Sequence, residues 1–438
     1  MKHKSGYAAF CFPEEHGERV CVMARYYIEG GARLHGEIKI HGAKNAVLPV
    51  LAGTLLMDEC TIHNCPALTD VTAACNILGH LGCKAQYSGG SVTTKTENVQ
   101  NFEIPDDLMR EMRSSVLFLG AIVARCGRAR VSLPGGCELG PRPIDMHLSS
   151  LQKLRVEISE DHGYLDCRVN GKLRGAVISM PFPSVGATEN IMLAACTAEG
   201  DTVIHNAARE PEIQDLAGFL NAAGAKITIG ENGTVYIKGV EKLRSTQYSV
   251  IPDRIAAATY LCCAAITGGS IVLHGVIPGH LNAVLPILEE TGCTIRVKYD
   301  TIELTAPERL KPARMIRTMP YPGFPTDSQS PMMALSCVAD GTSVFVENIF
   351  ESRYKHAAEL TRMGAKIKVE GRVAVVEGVE SLHGATVFCT DLRGGAALVT
   401  AALKANGKSE IAQISHIERG YQDFDKNLSL LGAMIVKR

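Results

Sequence analysis

The sequence predicts a mixed α/β fold of two domains, assembled from six copies of a unit with the order βαβαββ. Three observations predict it. The chain has 438 residues, more than one hydrophobic core usually serves. A short phrase recurs along it at a nearly fixed interval. Between recurrences, apolar helical segments alternate with β-branched runs, the pattern of an α/β protein.

The recurring phrase is an apolar helix end, then Gly, a small residue, one further residue and a β-branched strand. It reads Leu81-Gly82-Cys83-Lys84, Ala223-Gly224-Ala225-Lys226, Thr291-Gly292-Cys293-Thr294, Met363-Gly364-Ala365-Lys366 and Leu431-Gly432-Ala433-Met434. A degenerate copy, Leu154-Arg155-Val156-Glu157, sits between the first two, with Arg155 in the place of Gly. The intervals are 73, 69, 68, 72 and 68 residues. A single helix–Gly–strand joint occurs in any α/β protein, so the regular interval carries the inference. Each helix ends at a C′ position where Gly takes positive φ easily. Arg155 lacks that freedom, at a cost of up to about 1 kcal/mol.

A second phrase opens several units: Gly171-Lys-Leu-Arg-Gly175, Gly239-Val-Glu-Lys-Leu243 and Gly378-Val-Glu-Ser-Leu382. Apolar helices are expected at Asn190–Ala198, Arg254–Ala265 and Ala396–Ala405. No Pro/Ser-rich linker divides the chain. Three units per domain put the division near Val250–Pro252, giving one domain over 44–251 and a second over 23–43 plus 252–438. The opening strands, Tyr26 to Ile40, then complete the second domain. The chain crosses twice between domains and leaves a cleft, a common ligand site. Residues 1–22 mix charge, Gly, Pro and two Cys without periodicity, and read as a poorly ordered N-terminal extension.

Composition narrows the function. Lys and Arg total 45 against 46 Asp and Glu, a formal net charge of −1. That balance argues against a nucleic-acid or membrane-surface partner, where a basic excess supplies affinity. The 15 cysteines form no C-x-x-C pair and follow no secretory signal, so reduced thiols in a cytoplasmic protein are expected. No apolar run approaches the ~20 residues that span a bilayer. Walker A, G-x-G-x-x-G, H-E-x-x-H and G-x-S-x-G sequences are absent. Any phosphate must therefore be held by side chains and helix ends.

Two segments stand out. Leu133-Pro-Gly-Gly-Cys-Glu-Leu-Gly-Pro-Arg-Pro-Ile-Asp-Met-His147 packs three Gly and three Pro into a stretch that cannot be regular structure. It reads as an exposed loop leading into a helix. Cys137 on that loop, five residues before Arg142, is a thiol placed for reaction as readily as for inert filling. Gly42-Ala-Lys-Asn-Ala-Val-Leu-Pro49 carries a strand end into an apolar helix. Lys44 there can meet an anion together with free backbone N–H groups, and Asn45 can bond a hydroxyl. The plain alternative is a capped turn with a solvated lysine. Arg113, Asp327, Arg393 and Arg419 are further candidates, since Arg offers phosphate and carboxylate a planar donor fork. Singly, each reads first as a surface or inter-domain ion-pair residue. Glu210 and Glu212 read first as acids opening a helix.

Taken together, these segments resemble the UDP-N-acetylglucosamine 1-carboxyvinyltransferase family of bacterial peptidoglycan synthesis. The phrases that carry the resemblance are Gly42-Ala-Lys-Asn-Ala46, Leu133-Pro-Gly-Gly-Cys137 through Gly140-Pro-Arg-Pro-Ile-Asp145, Pro183-Ser-Val-Gly-Ala-Thr188, Ala207-Ala-Arg-Glu-Pro-Glu212, Phe324-Pro-Thr-Asp327, Thr390-Asp-Leu-Arg393 and Glu418-Arg-Gly-Tyr421. They lie within residues 26 to 438, in the family's order. The resemblance implies a two-domain inside-out α/β barrel of six βαβαββ repeats, with pseudo-threefold symmetry in each domain and closure over substrate. It implies transfer of the enolpyruvyl group of phosphoenolpyruvate to the 3-hydroxyl of UDP-N-acetylglucosamine, releasing phosphate, with no cofactor and no metal ligand. Cys137 would donate a proton and Asp327 accept one. Lys44, Asn45, Arg142, Arg393 and Arg419 would hold phosphoenolpyruvate. Asn45, Arg113, Arg142, Pro143, Ile144, Asp145, Met146, Ser184, Val185, Gly186, Asp327 and Ile349 would line the nucleotide-sugar site. The chain departs from the family at Arg155 and in its N-terminal extension. Oligomeric state stays open. The rivals are a 5-enolpyruvylshikimate-3-phosphate synthase, which the Cys137 loop disfavours, a non-catalytic paralogue, and an RNA-end-processing relative, which the neutral charge disfavours.

Overall fold

A computed structural model describes residues 24–96, 99, 101–112, 114–132 and 144–438. Within them, 24 strands form six sheets of four. The unit is clearest in the third sheet along the chain. Val177–Ser179 runs parallel to Asp201–His205, and the crossover between them is the helix Val185–Ala195. A second helix, Pro211–Ala222, leads into the hairpin Lys226–Ile229 and Val235–Lys238. The order is βαβαββ, and the other sheets repeat its one parallel and two antiparallel pairings.

The phrase that revealed the repeat is a true structural joint. Gly82, Arg155, Gly224, Gly292, Gly364 and Gly432 all have positive φ, at 101°, 75°, 97°, 96°, 95° and 94°. Arg155 keeps the left-handed turn and bears its steric cost.

Helices lie inside and sheets outside. All 14 residues of Arg254–Thr267 are buried, as are nearly all of Lys44–Thr54 and Leu392–Lys404. A helix apolar all round has no face to give to water. The strands instead alternate, Tyr26–Glu29 burying Tyr26 and Ile28 and exposing Tyr27 and Glu29. Two helix starts differ from expectation because side-chain caps extend them. Ser184 accepts from Ala187 N, so the helix expected at 190 begins at Val185. Asp391 accepts from Arg393 N and Gly394 N, so the one expected at 396 begins at Leu392. Among the described residues, no helix is long and apolar enough to cross a membrane.

Buried side chains fall into two clusters. One gathers residues 43–250; the other joins residues 26–40 to 256–435. Tyr26–Glu29 pairs with Lys408–Ala412 and Met434–Lys437, and His35–Lys39 with Ser270–His274, so the earliest strands complete late sheets. At each crossing a strand of one core feeds a helix of the other: His35–Lys39 precedes Lys44–Thr54, and Thr246–Ser249 precedes Arg254–Thr267. The two crossings lie side by side, bridged at Gly42 and Pro252.

Candidate active site

Of the cations named from sequence, Lys44, Arg393 and Arg419 converge where the two cores face each other. Lys44 opens the helix Lys44–Thr54 and is buried. Its Nζ lies 2.7 Å from Oδ2 of Asp70, in the first turn of Thr69–His80. From the other core, Arg419 Nε donates to Asp70 Oδ1 at 2.9 Å and Nη2 to Oδ2 at 3.3 Å. Asp70, 1% exposed, is thus shared by two cations. Burial alone would raise its carboxyl; Lys44 and Arg419 hold it below the ordinary range instead. Lys44 is pushed down by burial, in part offset by Asp70, with Arg419 and Arg393 pushing the same way as burial.

Asp327 is the second carboxylate, in the first turn of Thr326–Ser336. Arg393 Nη2 reaches its Oδ2 at 3.1 Å and Arg353 Nη2 its Oδ1 at 3.0 Å. Burial works to raise Asp327, but Arg393 and Arg353 outweigh it and keep the group ionised far below its usual range. Asn45 Nδ2 stands 3.5 Å from Asp327 Oδ2, at the outer limit of a hydrogen bond and across the gap between cores. Among the described residues, Arg393 Nε and Nη1 and Arg353 Nε have no acceptor. The Arg393 guanidinium lies 5.3 Å from the Tyr421 ring centroid. Buried guanidinium donors left open in this way are ready for an anion.

A second group of expected residues lies on two neighbouring helices of the core formed by residues 43–250. The helix Asp145–Lys153 packs on Val185–Ala195; Ile144, Asp145 and Met146 stand at the start of the first, and Ser184, Val185 and Gly186 at the start of the second. His147 joins them: its Nδ1 lies 2.8 Å from Asn190 Nδ2, and a Cβ on Gly186 would meet its ring at 3.1 Å. Ile349 is placed through Glu347, whose Oε1 accepts from Ile349 N at 2.8 Å and Oε2 from Thr326 Oγ1 at 3.0 Å. Arg113, Cys137, Arg142 and Pro143 lie outside the described residues.

One expectation needs correcting. The backbone N–H of Lys44 is not free for an anion, because Asp253 Oδ2 accepts it at 3.1 Å. Sequence reasoning also missed Asp70, Arg353, Glu347 and Asp253. Asp70 follows Thr69 at a helix start and Arg353 stands alone in a loop; neither setting differs from an ordinary surface charge. Glu210 and Glu212 do open a helix, as expected. Glu212 also pairs with Arg254 of the other core.

The family model for EPSP synthase (3-phosphoshikimate 1-carboxyvinyltransferase) matches residues 28–428. The chain is 50% identical to UDP-N-acetylglucosamine 1-carboxyvinyltransferase 2 of Caldanaerobacter subterraneus subsp. tengcongensis, over 95% of this chain and 100% of that one. It is 51% identical to UDP-N-acetylglucosamine 1-carboxyvinyltransferase 1 of Symbiobacterium thermophilum, over 95% and 97%. Among solved structures, the enolpyruvyl transferase NikO from Streptomyces tendae superposes with a TM-score of 0.86 at 26% identity, covering 95% of this chain and 99% of that one. EPSP synthase from Acinetobacter baumannii gives 0.72 at 18% identity over 95% and 100%, a likeness of fold. The two-domain, inside-out architecture is common to them. The chain belongs to the EPSP synthase family of enolpyruvyl transferases, and within it to the UDP-N-acetylglucosamine 1-carboxyvinyltransferases.

Proposed function

We propose that the chain transfers the enolpyruvyl group of phosphoenolpyruvate to the 3-hydroxyl of UDP-N-acetylglucosamine and releases phosphate, in the cytoplasm, as the first committed step of peptidoglycan synthesis. One observation carries the reading: Lys44, Arg419 and Arg393 meet around Asp70 and Asp327 between the cores, in a chain half identical to relatives named for this activity.

The chemistry needs what this group offers. The sugar hydroxyl forms a bond to C2 of phosphoenolpyruvate and gives up its proton, while C3 gains one and becomes a methyl group. C3 then loses a proton, the C2–O–phosphate bond breaks and the double bond returns. Asp327, held ionised by Arg393 and Arg353, is the acceptor for the hydroxyl proton. Its low basicity suits a transfer that follows C–O bond formation, when the hydroxyl has become acidic. Lys44, Arg393 and Arg419 stabilise the carboxylate, the phosphate and the charge that builds as phosphate departs. Asp70 keeps Lys44 and Arg419 together when no substrate lies between them. By resemblance, Cys137 supplies the proton at C3 and Arg142 joins the phosphate contacts. Ile144–Met146, Ser184–Gly186 and Ile349 would hold the nucleotide sugar, and the two cores at residues 43/44 and 251/252 would close around it.

The test is phosphate release from phosphoenolpyruvate, measured with UDP-N-acetylglucosamine and, separately, with shikimate 3-phosphate. Release with the nucleotide sugar alone is expected. Release with shikimate 3-phosphate alone would overturn the reading.

A further inference from the structure

We infer that Asp253 is a positioning residue for Lys44: one carboxylate caps a helix of each core and thereby fixes where the Lys44 amine stands. The inference rests on the proposed role of Lys44 in holding phosphoenolpyruvate.

The geometry is unusual for a cap. Asp253 is 3% exposed and precedes Arg254–Thr267. Its Oδ1 accepts from Ile255 N at 2.8 Å and Ala256 N at 2.9 Å, an ordinary N-cap. Its Oδ2 does something else. It accepts at 3.1 Å from Lys44 N, the first residue of a helix in the other core, which has no cap from its own residue Ala43. Two helix N-termini, each with a partial positive charge, thus share one anion.

The backbone around it is equally determined. Asp253 N donates to His41 O at 2.9 Å and Ala43 N to Ile251 O at 2.8 Å. Gly42 pairs with Pro252, and a Cβ on Gly42 would stand 1.8 Å from Asn64 O. The two crossings are therefore locked in register, and the Asp253 side chain carries that register onto the Lys44 backbone. From there the side chain runs to Asp70 at 2.7 Å. Releasing Oδ2 would let the first turn of Lys44–Thr54 shift against the other core, which supplies Arg419 and Arg393. Displacements of about 1 Å in such groups cost on the order of a hundredfold in rate.

The test separates the two halves of the carboxylate. Asp253→Ser keeps a capping oxygen for Ile255 and Ala256 but cannot reach Lys44 N. Asp253→Asn keeps one acceptor and turns an N–H₂ toward one of the two helix ends. Both variants are compared with Lys44→Ala by steady-state phosphate release, by calorimetric binding of UDP-N-acetylglucosamine and by thermal melting. The expected result for Asp253→Ser is a KM for phosphoenolpyruvate raised on the order of tenfold or more, with nucleotide-sugar affinity and melting temperature near those of the parent. Asp253→Asn should fall between the two. A parent-like KM in Asp253→Ser, with Lys44→Ala impaired, overturns the inference. An equal loss in every readout overturns it too, in favour of a purely structural cap. A parent-like KM in Lys44→Ala overturns the reading on which the inference rests.

Discussion

Arg254 and Glu212 join the two cores through a two-pronged ion pair, Nε to Oε1 at 3.0 Å and Nη2 to Oε2 at 3.2 Å, with side chains 9% and 3% exposed. The Arg254 guanidinium also lies 5.7 Å from the Tyr321 ring centroid. Glu189, buried near this pair, has no ion-pair cation among the described residues; burial first, then Glu212 and Glu210, raise its carboxyl well above the ordinary range.

Breaking the pair one partner at a time strands a buried charge. Glu212→Ala should destabilise the protein by about 3–5 kcal/mol, whereas replacing both residues by apolar ones of similar size should recover most of that. Urea unfolding of the two single variants and the double variant checks it. Additive losses in the double variant would refute it.

Glu189 sets a pH dependence. Its folded carboxyl keeps a proton that the unfolded chain releases near pH 4.3. The stability it contributes is full below that value and is lost as pH rises toward the folded pKa. Glu189→Gln removes the loss, so its melting temperature should exceed that of the parent by a margin that widens as pH rises above about 5. Asp215, raised by burial to about 6, titrates in both proteins and cancels from the comparison. A constant margin across pH would count against the assignment.

Asp327→Asn keeps the shape of the site but cannot take a proton. Turnover should fall on the order of a hundredfold or more while the fold survives. Single-turnover phosphate release beside a melting curve measures both. Near-parental turnover would leave Asp327 a binding contact for the sugar.

The family resemblance makes Cys137 the reactive thiol, and burial removes most of its rivals. All twelve described cysteines have thiols raised by burial, Cys196 and Cys337 to about 12, for example. Of the 15 in the sequence, 15 − 12 leaves Cys11, Cys21 and Cys137. The epoxide phosphonate fosfomycin should alkylate Cys137, faster with UDP-N-acetylglucosamine bound, and inactivate the enzyme. Cys137→Asp should abolish labelling and keep some activity, since a carboxylic acid still donates a proton when its pKa is raised. Peptide mass mapping reads the result; label on any other cysteine refutes it.

Arg155 offers the inverse experiment, a gain. Its φ of 75° is where five glycines stand in the equivalent joints. Arg155→Gly should raise stability by up to about 1 kcal/mol with no change in turnover, read by thermal melting.

Local features were legible and long-range ones were not. The Gly joints announced themselves because positive φ selects a residue type, and the spacing survived even at Arg155. Lys44, Asp327, Arg393 and Arg419 could be named singly from their segments. Their grouping around Asp70 could not, because Asp70 and Arg419 are 349 positions apart and nothing in Leu68-Thr69-Asp70 distinguishes a shared counter-ion from a helix-opening acid. Asp253 was hidden in the same way: its sequence neighbours explain the cap on Arg254–Thr267, and only the folded chain brings Lys44 N to the other oxygen.

Arg25 and Arg438 exchange backbone hydrogen bonds, at 2.7 and 3.0 Å, and Tyr26–Glu29 is a middle strand of the sheet that Met434–Lys437 borders. During synthesis this has a temporal meaning. Residues 43–250 can bury their core while the ribosome is still adding the second half, but the segment from Tyr26 to Ile40 must wait for partners made as much as 437 − 26 = 411 positions later. Until then its β-forming run is an unpaired edge open to any neighbouring chain. Cutting the loop between two late units and joining residue 438 to residue 24 would give this fold a different order of birth, with Tyr26–Glu29 emerging directly behind Met434–Lys437, one of the two strands it pairs with.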